Sequence, residues 1–271
     1  MKRLINQHPD TTQKIILGVL PFLLLLFIYI VASNARLAEN LDDKLLPSIS
    51  NMGKAMQKLA LQPSKRTGEY LFWQDTMSSL TRLGLGVGIS ALIGLFFGVL
   101  NGVIPYSRTN LSPLITVISL IPPLALLPIL FIVFGLGELS KVILIAFGIT
   151  PYIIRDLQGK VLELPDEQLI KAQTLGASSW LLIVRVVLPQ IIPRLIGALR
   201  LSLGAAWLFL IAAEAIASTD GLGYRIFLVR RYLAMDIILP YVAWITFLAF
   251  LIDYLLKFMS VRLFPWFHSD K

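Results

Sequence analysis

Cysteine is absent from this 271-residue chain, and histidine occurs only twice, at His8 and His268. No disulfide framework is available, and two histidines at opposite ends of the sequence offer no metal site of the usual kind. Charge is scarce as well: 15% of residues are Asp, Glu, Lys or Arg, against about 25% in an ordinary soluble domain. The shortage falls in long uncharged runs, at 15–33, 83–107, 109–137 and 142–154. An apolar stretch of about 18 residues or more can cross a hydrocarbon core of roughly 30 Å as a helix. A soluble globular domain and a disordered chain are thereby excluded, and an all-α, polytopic membrane protein is expected. A phosphate-cradling Gly-x4-Gly-Lys-Ser/Thr loop is also missing. Gly84, Gly86 and Gly88 lie inside an apolar run, where small-residue packing accounts for them. No serine or carboxylate stands beside a plausible base in a loop, so no catalytic residue is assigned and enzyme activity is not expected.

What is present begins with a basic excess, 24 Lys and Arg against 16 Asp and Glu. The cations are scattered rather than clustered, which argues against nucleic acid and for topology at membrane faces. Six spans are predicted, at 15–33, 78–104, 111–134, 139–155, 193–217 and 239–261. Lys2 and Arg3 precede the first, and Ser33-Asn34-Ala35 has the small residues of a cleavage site. The run exceeds the roughly 7–15 residues of a signal-peptide core, so an uncleaved first span is expected. With both termini cytoplasmic, twelve basic residues lie inside (Lys2, Arg3, Lys14, Arg108, Arg155, Lys160, Lys171, Arg185, Arg194, Lys257, Arg262, Lys271). Ten lie outside, and six of these share one long loop with five acids. The expected layout is a cytoplasmic tail over 1–14, the first span, an extracytoplasmic segment over 34–77, a core over 78–262 and a cytoplasmic tail over 263–271.

Within 34–77, Ile49, Met52, Met56 and Leu59 recur at helical spacing after Pro47-Ser48, with Lys54, Gln57 and Lys58 facing away. An amphipathic helix follows, lying on the membrane surface or packed on its own protein. The second span carries Ser90, Gly94, Gly98 and Gly102 at intervals of four, and the fifth carries Ala198, Ser202 and Ala206. Lipid supplies no hydrophobic drive for helix association, so such stripes mark close helix contacts, within one chain or between two. In the third span Pro122, Pro123 and Pro128 remove backbone donors, and a break of that kind belongs inside protein or against a wet cavity. These three prolines are the candidate pathway or gate, with a kink that only improves packing as the alternative.

Arg82, Arg200, Glu214 and Asp253 are ionisable residues inside predicted spans. Each needs a partner or a task. At about 1.5 Å per residue their depths match in opposite-sign pairs, Arg82 with Glu214 near the outer ends and Arg200 with Asp253 near the inner ends. Two intramembrane ion pairs are expected, either fixing the packing or taking part in gating or solute contact. Exchanging the charges at 82 and 214 together should restore transport lost in either single change.

Between the fourth and fifth spans, residues 156–193 form a segment too long for a turn. Asp166 follows Pro165 and opens a helical stretch over 167–175, which Gly176 stops. Ser178 or Ser179 caps a second helix through Val187, ended by Pro189. Two short helices meeting at a glycine make a compact knob. The spacing Ala172-x3-Gly176-x9-Val186-x-Leu188-Pro189 resembles the cytoplasmic EAA loop of ABC-importer permeases. Ile170 and Lys171 stand where that signature has Glu and its first Ala, and Glu167, one turn earlier, is the candidate acidic contact. Ser79-Leu-Thr-Arg82, Ile121-Pro-Pro-Leu-Ala125, Phe134-Gly-Leu-Gly-Glu-Leu-Ser-Lys141, Leu199-Arg-Leu-Ser-Leu-Gly-Ala-Ala-Trp207 and Gly221-Leu-Gly-Tyr224 are similar, in order over about 76–262, to the nitrate/sulfonate/taurine branch.

The resemblance implies a type I ABC-importer permease fold with six transmembrane helices in a bacterial inner membrane. It implies a second permease chain forming a homodimer, two ABC ATPase subunits and an extracytoplasmic solute-binding protein. Glu167, Ala172, Gly176, Ala177, Val186, Leu188 and Pro189 would form the ATPase-coupling loop. ATP and magnesium would sit on the partner ATPase, with no cofactor bound by this chain. The solute would be nitrate, a sulfonate or taurine, with bicarbonate, cyanate or a urea-like compound left open. A secondary transporter driven by an ion gradient is the alternative; it calls for two inverted halves with broken spans in corresponding places, and only one broken span is found.

Overall fold

The computed structural model describes residues 10–40, 43–65 and 68–268. Lys2, Arg3, His8, Arg66 and Lys271 lie outside the described residues. The described residues are helical, without a strand: α1 (Thr11–Glu39), α2 (Ile49–Leu61), α3 (Leu71–Val103), α4 (Pro105–Leu120), α5 (Leu127–Phe134), α6 (Glu138–Leu162), α7 (Asp166–Thr174), α8 (Ser179–Leu182), α9 (Leu188–Ala217), α10 (Leu222–Arg230) and α11 (Met235–Leu263). Five helices are long and apolar enough to cross a membrane, and a sixth span exists only if α4 and the segment 123–134 count as one.

The third span carries the break that its prolines announce, and its bounds shift. It is not one helix over 111–134: α4 begins at Pro105, and the chain then bends by 82° before Pro123–Phe134. The prolines explain the size of the bend. Pro122 and Pro123 bring no backbone N–H, so the helix cannot continue past Leu120, and Pro123–Leu126 closes only as a 3-10 turn. Pro128 sits in the first turn of α5, where a missing donor costs nothing.

Helix α6 is the hub of the bundle. Leu144, Ile145, Ile149, Ile153 and Leu157 are almost fully enclosed. It lies parallel to α3 in constant register, and the reason is the small-residue stripe. Gly86, Gly94, Gly98 and Gly102 face Ile145, Ile153, Leu157 and Val161 so closely that an added Cβ would come within 2.4–2.7 Å of them. Ser90 continues the stripe, its hydroxyl 3.3 Å from the carbonyl of Ala146. That stripe is therefore a contact within one chain, with branched side chains of α6 filling the groove that glycine leaves on α3. In the second stripe Ala198 and Ala206 are buried, while Ser202 lines an open groove of about 460 Å³ between α6 and α9.

The amphipathic helix expected after Pro47 is α2, and Ser48 caps it by accepting from the Asn51 N–H at 3.1 Å. Its apolar side packs on the protein itself, with Met56, Leu59 and Ala60 against the core beside α3 and α11. Helix α1 stands apart, its most apolar window without a buried residue. It is tied to the chain that follows by the Tyr29 hydroxyl donating to the Pro47 carbonyl at 2.7 Å and the Ser33 hydroxyl to that of Leu46 at 2.9 Å.

Candidate functional site

The knob forms as the residues dictate. Asp166 and Glu167 occupy the first turn of α7, where negative charge suits the helix dipole. At the other end Gly176 takes φ +81°, a left-handed backbone that suits glycine. The Ala177 N–H reaches back to the Ala172 carbonyl at 3.0 Å and the Gly176 N–H to that of Gln173 at 2.9 Å. These are the two hydrogen bonds of a Schellman stop. Ala172 and Ala177 thus sit at the two ends of one bond, with glycine between them. Ser178, rather than Ser179, caps α8, accepting from the Leu181 N–H at 3.3 Å.

Pro189 does not end the second helix. A π-turn over Ile183–Val187 follows α8, and the Leu188 N–H bonds five residues back to Ile183. The widened turn and the helix's own first-turn tolerance accommodate Pro189, so the chain runs on as one element over Ser179–Ala217. The free part of the expected loop shrinks accordingly, because α6 continues to Leu162. Gln190 fastens the base: its side-chain amide donates to the Val186 carbonyl at 2.9 Å and to the Gln168 side chain of α7 at 3.1 Å. Beneath the knob Leu182 and Val187 are buried, while Val186 and Leu188 are half-buried. Its outer face carries Glu167, Gly176 and Pro189 in the open, together with Leu175 at 88% and Trp180 at 73% exposure.

At the other end of α9 the charges gather. Arg82 uses all five of its N–H donors. They reach Glu214 at 2.7 Å, the side chain and carbonyl of Asp220 at 2.5 and 3.0 Å, and both oxygens of Glu138 at 2.5 and 2.8 Å. Glu214 is completely buried and also accepts from the Ser79 hydroxyl and, at 2.8 Å, from the Gly223 N–H. Lys141 joins through Glu138 at 2.9 Å and Ser218 at 3.0 Å. A step away, buried Asp75 takes Arg225 at 2.7 Å, the Gly221 N–H at 3.0 Å and the Tyr241 hydroxyl at 3.1 Å. Gly221 fits because φ is +116° and a Cβ there would lie 2.5 Å from the Glu214 carboxyl. Sequence depth finds the Arg82–Glu214 pair but misses Asp75, Glu138, Lys141 and Asp220. Asp220 joins because the 218–221 turn folds back over α3, Glu138 and Lys141 because the start of α6 lies beside Arg82, and Asp75 because it sits two turns before Arg82 on α3.

Arg200 and Asp253 form a simpler pair, two parallel hydrogen bonds at 2.7 and 2.9 Å between half-exposed side chains of α9 and α11. At the bend between α4 and α5, Ser119 is held from α6 by the Tyr152 hydroxyl on its carbonyl at 3.2 Å and by Arg155 on its own hydroxyl at 2.9 Å. Pro122, Pro123 and Pro128 all belong to this bend.

Comparison with known proteins agrees with the geometry. The chain is 37% identical over 194 residues to the taurine transport system permease protein TauC of Escherichia coli, covering 72% of this chain and 70% of that one. It is 34% identical over 158 residues to the bicarbonate transport system permease protein CmpB of Synechococcus elongatus, covering 58% and 56%. Its fold is that of a chain in the inward-facing MetNI methionine ABC transporter, with a TM-score of 0.61 at 22% identity, over 74% of this chain and 97% of that one. The sequence pattern of one family, described as the binding-protein-dependent transport system inner membrane component, matches residues 90–268. This chain belongs to that family.

Proposed function

We propose that two copies of this chain form the membrane pathway of an ATP-driven importer for a small sulfonate or related oxyanion of the nitrate or taurine kind. The solute arrives from an extracytoplasmic binding protein, and two ATPase subunits seat against the knobs over 166–189 on the cytoplasmic side. The membrane is a bacterial inner membrane, and both termini face the cytoplasm. ATP and its magnesium belong to the ATPase subunits. The observation that carries this reading is the knob itself: a Schellman-closed helix with an exposed apolar face, mounted on the base of a membrane-length helix. Closure of the ATPase pair on ATP would move the knobs and convert an inward-facing cavity to an outward-facing one. The bias comes from the different affinities of ATP and of the loaded binding protein for the two states. Similarity to TauC favours a sulfonate among the solutes.

The test is to purify the chain together with the products of its neighbouring genes and ask whether an ATPase subunit comes with it. In a Gly176→Val variant a branched side chain meets φ +81°, a backbone it adopts only under strain. The ATPase should co-purify with the unchanged chain and be lost from the variant, with the permease's own thermal unfolding unaltered. A screen of ligands against the binding protein then identifies the solute. An unchanged chain that recruits no ATPase would overturn the importer reading and put the ion-coupled transporter in its place.

A further inference from the structure

A groove of about 720 Å³ opens between the segment 43–47, helix α2 and the turn joining α10 to α11. Its walls include Lys44, Lys54 and Lys58, with Asp43, Asp236 and Tyr232. Among the described residues none of the three lysines has an ion-pair partner. Asp43, by contrast, is already held by Arg36 and by the Leu45 N–H at 2.9 Å, and these keep its carboxyl below the usual carboxylate range. The opposing turn adds exposed Arg230 and Arg231, and Tyr232 is 70% exposed beside Leu233, which takes the left-handed φ of +54°. Helix α2 lies ahead of the segment that the family pattern matches, whereas the opposing turn lies within it.

We infer that this groove is the surface on which an acidic face of the soluble delivery protein docks; the inference rests on the importer reading above. Three features select a protein over other anions. The lysines are solvent-open and lack preorganised donors around them, so a lone small anion would stay hydrated and gain little from them. The carboxylates of Asp43 and Asp236 would repel a phosphate headgroup, whereas a protein surface can meet cations and anions side by side. Arginine and tyrosine at the lip are the residue types that anchor protein interfaces. The apolar side of α2 is occupied by the core, which leaves Lys54 and Lys58 turned outward. An excess of unpaired positive charge around a concave surface steers an acidic partner to it from a distance.

The experiment uses the complete permease–ATPase complex in nanodiscs of zwitterionic lipid, with the solute-loaded binding protein from the same gene cluster as probe. A Lys44→Glu/Lys54→Glu/Lys58→Glu variant should slow association about tenfold or more at low salt and flatten its dependence on ionic strength. Binding-protein-stimulated ATP hydrolysis should fall in step, and basal hydrolysis should not change. The corresponding triple alanine variant, which carries no new charge, should show an intermediate loss. Equal association rates in all three proteins would overturn the inference while leaving the importer reading intact. A defect that appears only in nanodiscs containing anionic lipid would overturn it in favour of a lipid site. Failure of the unchanged complex to respond to the binding protein at all would overturn both.

Discussion

An arginine with one carboxylate partner and an arginine with three respond differently when charges are exchanged. Arg200 and Asp253 pair across α9 and α11, with Lys257 one turn further along α11 from Asp253. An Arg200→Asp/Asp253→Arg double variant can rebuild the same two hydrogen bonds with the charges exchanged. It should recover most of the solute uptake lost in either single variant. Exchanging Arg82 and Glu214 should not. A glutamate at 82 would meet Glu138 and Asp220, and an arginine at 214 would meet the Gly223 N–H, donor against donor. Unpaired charge left buried costs about 3–5 kcal/mol, so the double variant should unfold at a lower temperature than either single one in a detergent melt. The restoration expected from sequence is thus withdrawn, and a failed exchange at 82 and 214 carries no information about solute. Rescue there, or its absence at 200 and 253, would refute this account of the two clusters. Sequence depth places a residue along a helix axis and so finds both pairs. It cannot see a turn folding back, which brings Asp220 in, or which helix ends lie side by side, which brings in Glu138 of α6 and pairs Asp75 with Arg225 of α10.

At the scale of elements, the bend after α4 is set by two adjacent prolines. A Pro122→Ala/Pro123→Ala variant returns two backbone donors, and the helix can then continue from α4 toward α5. Because the chain has no cysteine, Leu114→Cys and Ile132→Cys, both at exposed positions, accept spin labels without competition. A straight helix would put these positions about 27 Å apart, and the 82° bend brings them nearer. The alanine variant should lengthen the distance and abolish uptake while the ATPase still co-purifies. An unchanged distance would mean that packing against α6, through Tyr152 and Arg155, holds the bend without the prolines. The prolines announce a break in the sequence; its angle depends on partners far away in the chain and so is not legible there. Pro189 shows the converse. It reads as a stop, yet a π-turn absorbs it, because widening the turn frees the space that its ring needs.

Across the whole molecule, one helix connects the two clusters of functional interest. The segment Ser179–Ala217 has 39 residues, about 58 Å of helix, with exposed Trp180 near one end and buried Glu214 near the other. Displacement at the knob therefore reaches Arg200 and then the Arg82 cluster with no loop between. The soft point in this lever is the π-turn over Ile183–Val187, which holds one more residue per hydrogen-bonded turn than an α-helix does. Deleting Val184 should let that turn close as ordinary α-helix and rotate the knob by about 100° about the axis of α9. The Schellman stop at Gly176 and the Ser178 cap precede the deletion, so the part of the docking face from Glu167 to Trp180 keeps its shape while Pro189 stays with α9. The variant should retain its ATPase subunit but lose coupling, with uptake in proteoliposomes falling about tenfold and hydrolysis no longer responding to the loaded binding protein. A second variant that keeps the residue count, Val184→Ala, should leave both activities near normal. Uptake that survives the deletion would show that the direction of the knob relative to α9 does not matter. The push would then have to travel through α7 and its Gln168–Gln190 contact rather than along the helix.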